Sequence, residues 1–132
     1  MCIRDRYIAQ LSNEVKDFAK DNKLSLFSDK FFKYLELLNN FTLWLGEKNK
    51  SSKDDVSAAC NDYLKVLGYI ALAHSWLKIL KVSHSKLKEN KTFYEDKINT
   101  AKYYFDKILP RVQSHYLSAV TGSDTMMKSN FN

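Results

Sequence analysis

Apolar residues recur along this chain at steps of three and four, which is the spacing of one face of an α-helix. The first such stripe precedes the polar residues 21–23 and consists of Ile8, Leu11, Val15 and Phe18. A second stripe follows Ser28, a residue type that favours helix N-caps. It comprises Phe31, Leu35, Leu38, Thr42 and Leu45, widened by Phe32, Phe41 and Trp44. Gly46 is predicted to end this second helix in a left-handed cap.

A third, longer stripe follows a predicted polar linker at residues 48–53. Its helix is predicted to begin near Asp54 and Asp55, because acidic side chains stabilise a helix N-terminus. The stripe comprises Val56, Cys60, Tyr63, Leu67, Ile70, His74 and Leu77, broadened by Ala59, Val66, Ala73 and Leu80. We predict that this helix runs to about residue 89.

The fourth stripe opens on a predicted capping box, with Thr92 as the N-cap and Glu95 reaching back to it. Pro110 falls inside this helix and predicts a kink, because proline removes one backbone hydrogen bond. Gly122 predicts the end of the helix, and one further turn is predicted from residue 124. The apolar positions of the fourth stripe are Ile98, Ala101, Phe105, Ile108, Val112 and Ala119.

Four amphipathic helices with short connections and no strand pattern predict an all-α fold, an antiparallel bundle of about four helices. The chain has only three glycines and one proline, which agrees with few, long elements. Residues 7–132 are predicted to form a single domain. Residues 1–6 hold two of the three arginines and resemble translated adapter sequence, so we expect them to be a non-native leader.

The formal charge is +6, with 21 Lys and Arg against 15 Asp and Glu, and nearly all of the positive charge is lysine. Specific nucleic-acid recognition relies on the arginine fork, so no nucleic-acid partner is expected. No run reaches the roughly 20 apolar residues that a membrane span needs. Cys2 and Cys60 form no disulfide framework, and no secretory signal precedes the helices, so a cytoplasmic location is expected.

The three histidines offer little chemistry. His74 lies within the apolar stripe of the third helix, which is typical of a partnered core histidine rather than a catalytic one. His84 falls in a lysine-rich stretch and is expected to be solvated. His115 has no carboxylate one helical turn away, and no histidine pair has a metal-binding spacing. We therefore predict no metal site and assign no catalytic residue.

Other candidate features also have simpler structural interpretations. The lysines at 78, 81 and 88 are expected to be solvated, although they could also face an anion such as the pyrophosphate of coenzyme A. The aromatic run at 103–105 is expected to belong to the core rather than to a cofactor pocket. The acidic pairs at 54–55 and 95–96 fit helix N-termini. Gly68 is predicted to allow close helix packing.

The amino-acid sequences of three segments nevertheless resemble those of a known family. Residues 61–76 (NDYLKVLGYIALAHSW) resemble the start of the C-terminal domain appended to one group of long acyl-CoA dehydrogenases. Residues 93–110, from FYEDK through TAKYYF to ILP, are similar to the second signature of that domain, and residues 42–45 (TLWL) also fit. The tail GSDTMM with Phe131 is similar to its closing segment. The resemblance covers roughly residues 30–132.

The resemblance implies a helical bundle packed against the catalytic core of an FAD-dependent enzyme that oxidises the α,β bond of an acyl-CoA. Members of the family act on fatty acyl-CoAs or on sulfur-containing short acyl-CoAs such as 3-methylmercaptopropionyl-CoA. The flavin-binding domains and the catalytic glutamate are absent from these 132 residues, so no catalytic or cofactor-binding residue is carried over. FAD is expected in the parent enzyme but not on this chain alone.

The expected partners are the missing core of the same polypeptide, acyl-CoA through that core, and further copies in a homo-oligomer. The alternative is a free-standing helical interaction module without enzymatic activity. Trp44, Trp76 and the aromatics of the fourth helix exceed what a small bundle needs. They therefore predict an apolar face that makes the isolated chain self-associate or bind a hydrophobic dye.

Overall fold

The computed structural model describes residues 3–130, so Met1, Cys2 and Phe131 lie outside the described part of the chain. These residues form six α-helices and one π-helical turn, with no β-strand among them. The elements are α1 (Ile3–Phe18), α2 (Ser25–Ser51), α3 (Lys53–Lys86), α4 (Lys91–Tyr103), the π turn (Tyr104–Ile108), α5 (Arg111–Ala119) and α6 (Asp124–Met127). The predicted all-α bundle is confirmed. No described helix is both long and apolar enough to cross a membrane.

Helix α3 is the centre of the bundle, because α1, α2, α4 and α5 all pack against it. One continuous core fills the space between them. Burial of large apolar side chains is the main stabilising contribution in such a fold. The largest side chains with almost no exposed surface are Phe31, Phe41, Phe105, Leu11, Leu24, Leu38, Ile70, Leu77, Leu80 and Leu109.

Helix α2 begins earlier than predicted. It starts at Ser25, and Ser28 is a buried residue of its first turns rather than the N-cap. The backbone is already turning before Ser28, since the amides of Leu24 and Ser25 both donate to the carbonyl of Asp21 at 2.9 Å. Leu24 is completely buried, and its packing draws the start of the helix toward it. The Ser28 hydroxyl has no hydrogen-bond partner within residues 3–130.

The predicted end of α2 and the predicted linker are also wrong. Gly46 lies inside the helix, which continues to Ser51, and Ser52 alone separates α2 from α3. The Ser52 hydroxyl caps α3 by accepting from the Asp55 amide at 3.3 Å. Exposed polar residues suit a solvated helical turn as well as they suit a linker, so composition alone could not distinguish the two.

The glycines differ in what they do. Gly122 has a φ of 81° and ends α5, as predicted, and α6 forms the predicted last turn after it. Gly68 was predicted to allow close packing, but it is exposed on α3. Apart from its chain neighbours and the backbone of its own helix, no described atom lies within 4 Å of where its Cβ would stand. The prediction for Gly68 is therefore wrong as far as packing inside this chain is concerned.

Helix α3 keeps the predicted phase with small changes. Its most buried line is Ala59, Val66, Ala73 and Leu80, together with Ile70 and Leu77, whereas Cys60 is exposed. The helix ends at Lys86, three residues before the predicted end. The inward face is therefore rotated slightly toward the residues that were expected only to broaden the stripe.

Helix α4 is capped by Asn90 instead of Thr92. The Asn90 side chain accepts from the Phe93 amide at 3.2 Å, and Glu95 lies 3.7 Å from Lys91 rather than reaching back to the cap. The predicted kink at Pro110 is confirmed, with α5 starting immediately after it. The irregularity begins before the proline, where the Leu109 amide donates to the Tyr104 carbonyl five residues back at 2.8 Å.

Candidate functional site

Polar side chains that are wholly or partly buried meet at three places between the helices. The first joins the start of α3 to the end of α5, the second joins α1 to the middle of α3, and the third joins α3 to α5. The three clusters are Lys48–Asp55–Ser123, Glu14–His74–Lys78, and Asp62–His115 with Tyr69. Each is a candidate for chemistry, because functional sites often contain buried polar groups with shifted pKa values.

Asp55 is the most strongly bound carboxylate of the described chain. Its Oδ1 accepts from the Ser123 amide at 2.8 Å and from the Ser123 hydroxyl at 2.7 Å, and its Oδ2 lies 3.1 Å from Lys48 Nζ. These hydrogen bonds from Ser123, followed by the one from Lys48, lower the pKa of Asp55 to about 2. The carboxylate therefore fastens the segment after Gly122 to the first turn of α3. This role is structural.

His74 is buried beneath α1, as a core histidine should be. Its Nε2 lies 2.8 Å from Glu14 Oε2, but the approach is too oblique for a directed hydrogen bond. Burial, and then the neighbouring charge of Lys78, lower the pKa of His74 below its ordinary value of 6.5. Lys78 also lies 3.4 Å from the same Glu14 oxygen, so the cluster links α1 to α3. The prediction that His74 lies in the core is confirmed, and the Glu14 carboxylate lies beside its Nε2 without a directed hydrogen bond.

His115 has a carboxylate partner that was not predicted from the sequence. Its Nδ1 lies 2.8 Å from Asp62 Oδ1, and its ring stacks on that of Tyr69 with centroids 5.8 Å apart. The partner is 53 residues away in the sequence, so no local spacing could reveal it. An aspartate that orients a histidine is one part of a catalytic triad. Within residues 3–130, however, no hydroxyl or thiol hydrogen-bonds to this ring, so the geometry supplies no nucleophile.

The remaining candidates do not converge on a site. Lys78 borders an apolar cleft between α3 and α4, whereas Lys81 lies over the Phe18 ring and borders a different cleft with His84. His84 is half-buried rather than solvated, and burial lowers its pKa. No group of three or more metal-ligating side chains is found in the described residues. The lysines therefore do not form one anion-binding row.

The aromatic residues are divided between core and surface. Tyr104 and Phe105 are buried, as predicted, whereas Tyr103 is exposed. Burial raises the pKa of Tyr104, and its hydroxyl donates to the Tyr69 carbonyl at 2.7 Å. The two tryptophans are half-buried against the core, so they do not form the apolar face that was expected of them. Exposed apolar side chains lie elsewhere, above all on the outer side of α3.

Comparison with known proteins assigns the chain to a family rather than to a reaction. The family model described as acetyl-CoA dehydrogenase C-terminal like matches residues 11–130. No curated protein and no solved structure matches the chain. The match covers every helix of the bundle at least in part, including the first, which lay outside the resemblance seen in the sequence.

Proposed function

This chain belongs to the acetyl-CoA dehydrogenase C-terminal-like family, and from that membership we propose that it is the C-terminal helical module of an FAD-dependent acyl-CoA dehydrogenase. In this proposal the catalytic core lies upstream in the same cytoplasmic polypeptide. The core supplies the flavin and the glutamate base that removes the α-proton of the acyl-CoA. The helical module stabilises that core and contributes to the contacts of a homo-oligomer.

The observation that carries the proposal is the family match over residues 11–130. The polar clusters of the structure agree with a structural role. Each of them fastens one helix to another. The Ser123 hydroxyl does donate to Asp55, but the lowered pKa of that carboxylate makes it a weak base. Within residues 3–130, no hydroxyl or thiol hydrogen-bonds to His74 or His115. In this proposal, the chemistry comes from a part of the polypeptide that these residues do not include.

The surface of the bundle also agrees with a module that contacts other protein. Tyr7 is exposed on the first half of α1, and the buried residues of that helix begin only at Leu11. Leu26 and Leu43 are exposed on α2. Apolar side chains outside the chain's own core are typical of an interface between domains.

The test is to recover the reading frame upstream of Met1 and to express the extended protein. We expect a yellow flavoprotein that reduces an artificial electron acceptor when an acyl-CoA is added. Deletion of residues 7–132 should lower its melting temperature and change its oligomeric state. A ribosome-binding site directly before Met1, with no open frame for a flavoprotein upstream, would contradict the proposal.

The second candidate is the free-standing interaction module, and one observation favours it. The chain closes a continuous core without help from any other segment, with Phe31, Phe41 and Leu38 completely buried. A domain with a complete core can fold alone. The upstream reading frame separates this candidate from the dehydrogenase module, since only the module requires a flavoprotein core there.

A further inference from the structure

The outer side of α3 is an uncharged helical face on a highly charged molecule. Steps of four and three residues along α3 place six residues on it, which we call the outer face: Leu64, Gly68, Leu72, Ser75, Ile79 and Val82. The exposed fractions of the four apolar side chains are 68% for Leu64, 52% for Leu72, 36% for Ile79 and 50% for Val82. Charged residues make up 27% of the chain, yet none belongs to the outer face. Such a face is typical of a helix that packs against another helix.

Gly68 lies in the middle of the outer face and is not needed for packing inside the chain. A glycine in a helix interior is less stable than alanine. Here a Cβ would meet nothing within 4 Å, so close packing inside the bundle does not explain the glycine. Its missing side chain leaves open space over the helix backbone, which we call the hollow, one turn from the exposed Leu72. A hollow next to a protruding leucine is what a closely approaching second helix requires.

The charges on α3 are placed symmetrically about this hollow. Asp54 and Lys86 are both exposed, and each lies sixteen residues from the point midway between Gly68 and Leu72. At 100° per residue both project from the same side of the helix as the outer face. Two antiparallel copies of α3 that cross at this point therefore place Asp54 of each copy opposite Lys86 of the other.

Apolar side chains border a cleft at each end of the outer face. At the α4 end, Ile79, Val82 and Phe93 line a cleft of about 340 Å³. At the other end, Met126 and Met127 of α6 are exposed beside Asp54 and border a smaller cleft of about 210 Å³. The antiparallel arrangement brings the methionines of one copy to the larger cleft of the other. Flexible methionine side chains fill irregular apolar gaps well.

We infer that the outer face of α3 is a dimer interface, whose occupant is the outer face of a second copy of this chain packed antiparallel about a two-fold axis. A two-fold axis makes the same patch serve both subunits, which is the property that the symmetric placement of Asp54 and Lys86 provides. In this interface Leu72 of each copy fills the hollow at Gly68 of the other. The inference specifies one contact of the homo-oligomer in the proposed function, and it can fail while the upstream frame still encodes a flavoprotein core.

The first experiment replaces Gly68 with leucine and measures self-association of the full chain by sedimentation velocity over a range of concentrations. Because nothing in the monomer opposes a side chain there, Gly68→Leu should keep the helical content while raising the dimer dissociation constant about tenfold or more. Gly46→Leu is the matched control, since Gly46 is also an exposed glycine inside a helix with open space around it. The control should leave the dissociation constant unchanged.

The second experiment reverses the charges. Asp54→Lys alone and Lys86→Glu alone should each weaken the dimer, because each places like charges opposite one another. The double variant should restore the dissociation constant to within about threefold of the original. A chain that stays monomeric at high concentration would overturn the inference. So would association that survives Gly68→Leu, or a double variant no better than the single ones, as expected if the outer face binds a different protein.

Discussion

Asp55 shows how much of a residue's role depends on a distant partner. Its position in the first turn of a helix is sufficient to explain an acidic side chain, and only that role was predicted from the sequence. In the structure the same carboxylate holds Ser123, which is 68 residues away, through both its amide and its hydroxyl. Asp54, its neighbour, is exposed in the first turn of α3, as predicted, and has no such partner within residues 3–130.

We predict that Asp55→Asn destabilises the fold at neutral pH, because the amide group is a weaker acceptor for Ser123 and loses the ion pair with Lys48. The pKa of Asp55 is lowered from its usual value of 3.8 to about 2 in the folded chain. A lowered pKa stabilises the folded state above pH 3.8, and this contribution is lost as the pH falls toward 2. The difference in melting temperature between the original chain and Asp55→Asn should therefore shrink below about pH 4.

Thermal unfolding followed by circular dichroism on dilute samples measures this difference. Asp54→Asn is the control and should show a much smaller effect at every pH. A difference for Asp55→Asn that stays constant from pH 7 to pH 2 would mean that its ionised form does not bind Ser123 preferentially.

At the scale of the helices, periodicity predicted which elements exist, but local signals placed several of their ends wrongly. Ser28, Gly46 and Thr92 are each of a type found at helix ends, yet all three lie within helices. The true caps are nearby residues of equally suitable type, such as Ser52 and Asn90, so the choice between them depends on tertiary packing. A helix is predicted from many apolar positions together, whereas the position of its end is predicted from only one or two residues.

Gly46 lies inside a helix and Gly122 lies after one, so alanine at these two positions should change the free energy of unfolding in opposite directions. Gly46→Ala should stabilise the chain by about 0.5–1 kcal/mol, because alanine is the better helix former and its Cβ meets no neighbour. Gly122→Ala should destabilise it by about 1–2 kcal/mol, because φ is 81° there. The new Cβ would also lie only 3.0 Å from Asp55 Oδ1. Urea unfolding of both variants gives the two free energies, and an equal sign for both would contradict the assigned conformations.

For the whole molecule, fold class and family were accessible from the sequence, while the polar clusters were not. The helical pattern was sufficient to predict the fold class, and three matching segments were sufficient to predict the family. The burial of His74 could be predicted because it lies within one apolar stripe. Joining His115 to Asp62 requires the register between α3 and α5, which is set by packing across the bundle. The outer face of α3 was missed because its apolar residues were overshadowed by the stronger inward stripe on the same helix.

We predict that the isolated chain folds into a helical domain that carries no flavin and has no dehydrogenase activity. The physical reason is the lack of an assembled base and of a phosphate-binding loop in this sequence. The purified, refolded chain should show a helical circular dichroism spectrum, no absorbance of bound flavin, and no reduction of an artificial electron acceptor with acyl-CoA. A stoichiometric yellow chromophore, or turnover above that of a heat-inactivated sample, would contradict this.

The single residue between α2 and α3 also has a consequence for how the chain reaches its fold. With only Ser52 to order between them, two long helices can meet as a hairpin at a small cost in loop entropy. Contacts between neighbouring elements of this kind favour rapid folding. The bond between Asp55 and Ser123 joins distant parts of the chain and should form after the barrier is crossed. Changes at Asp55 should then accelerate unfolding while leaving the folding rate almost unaltered.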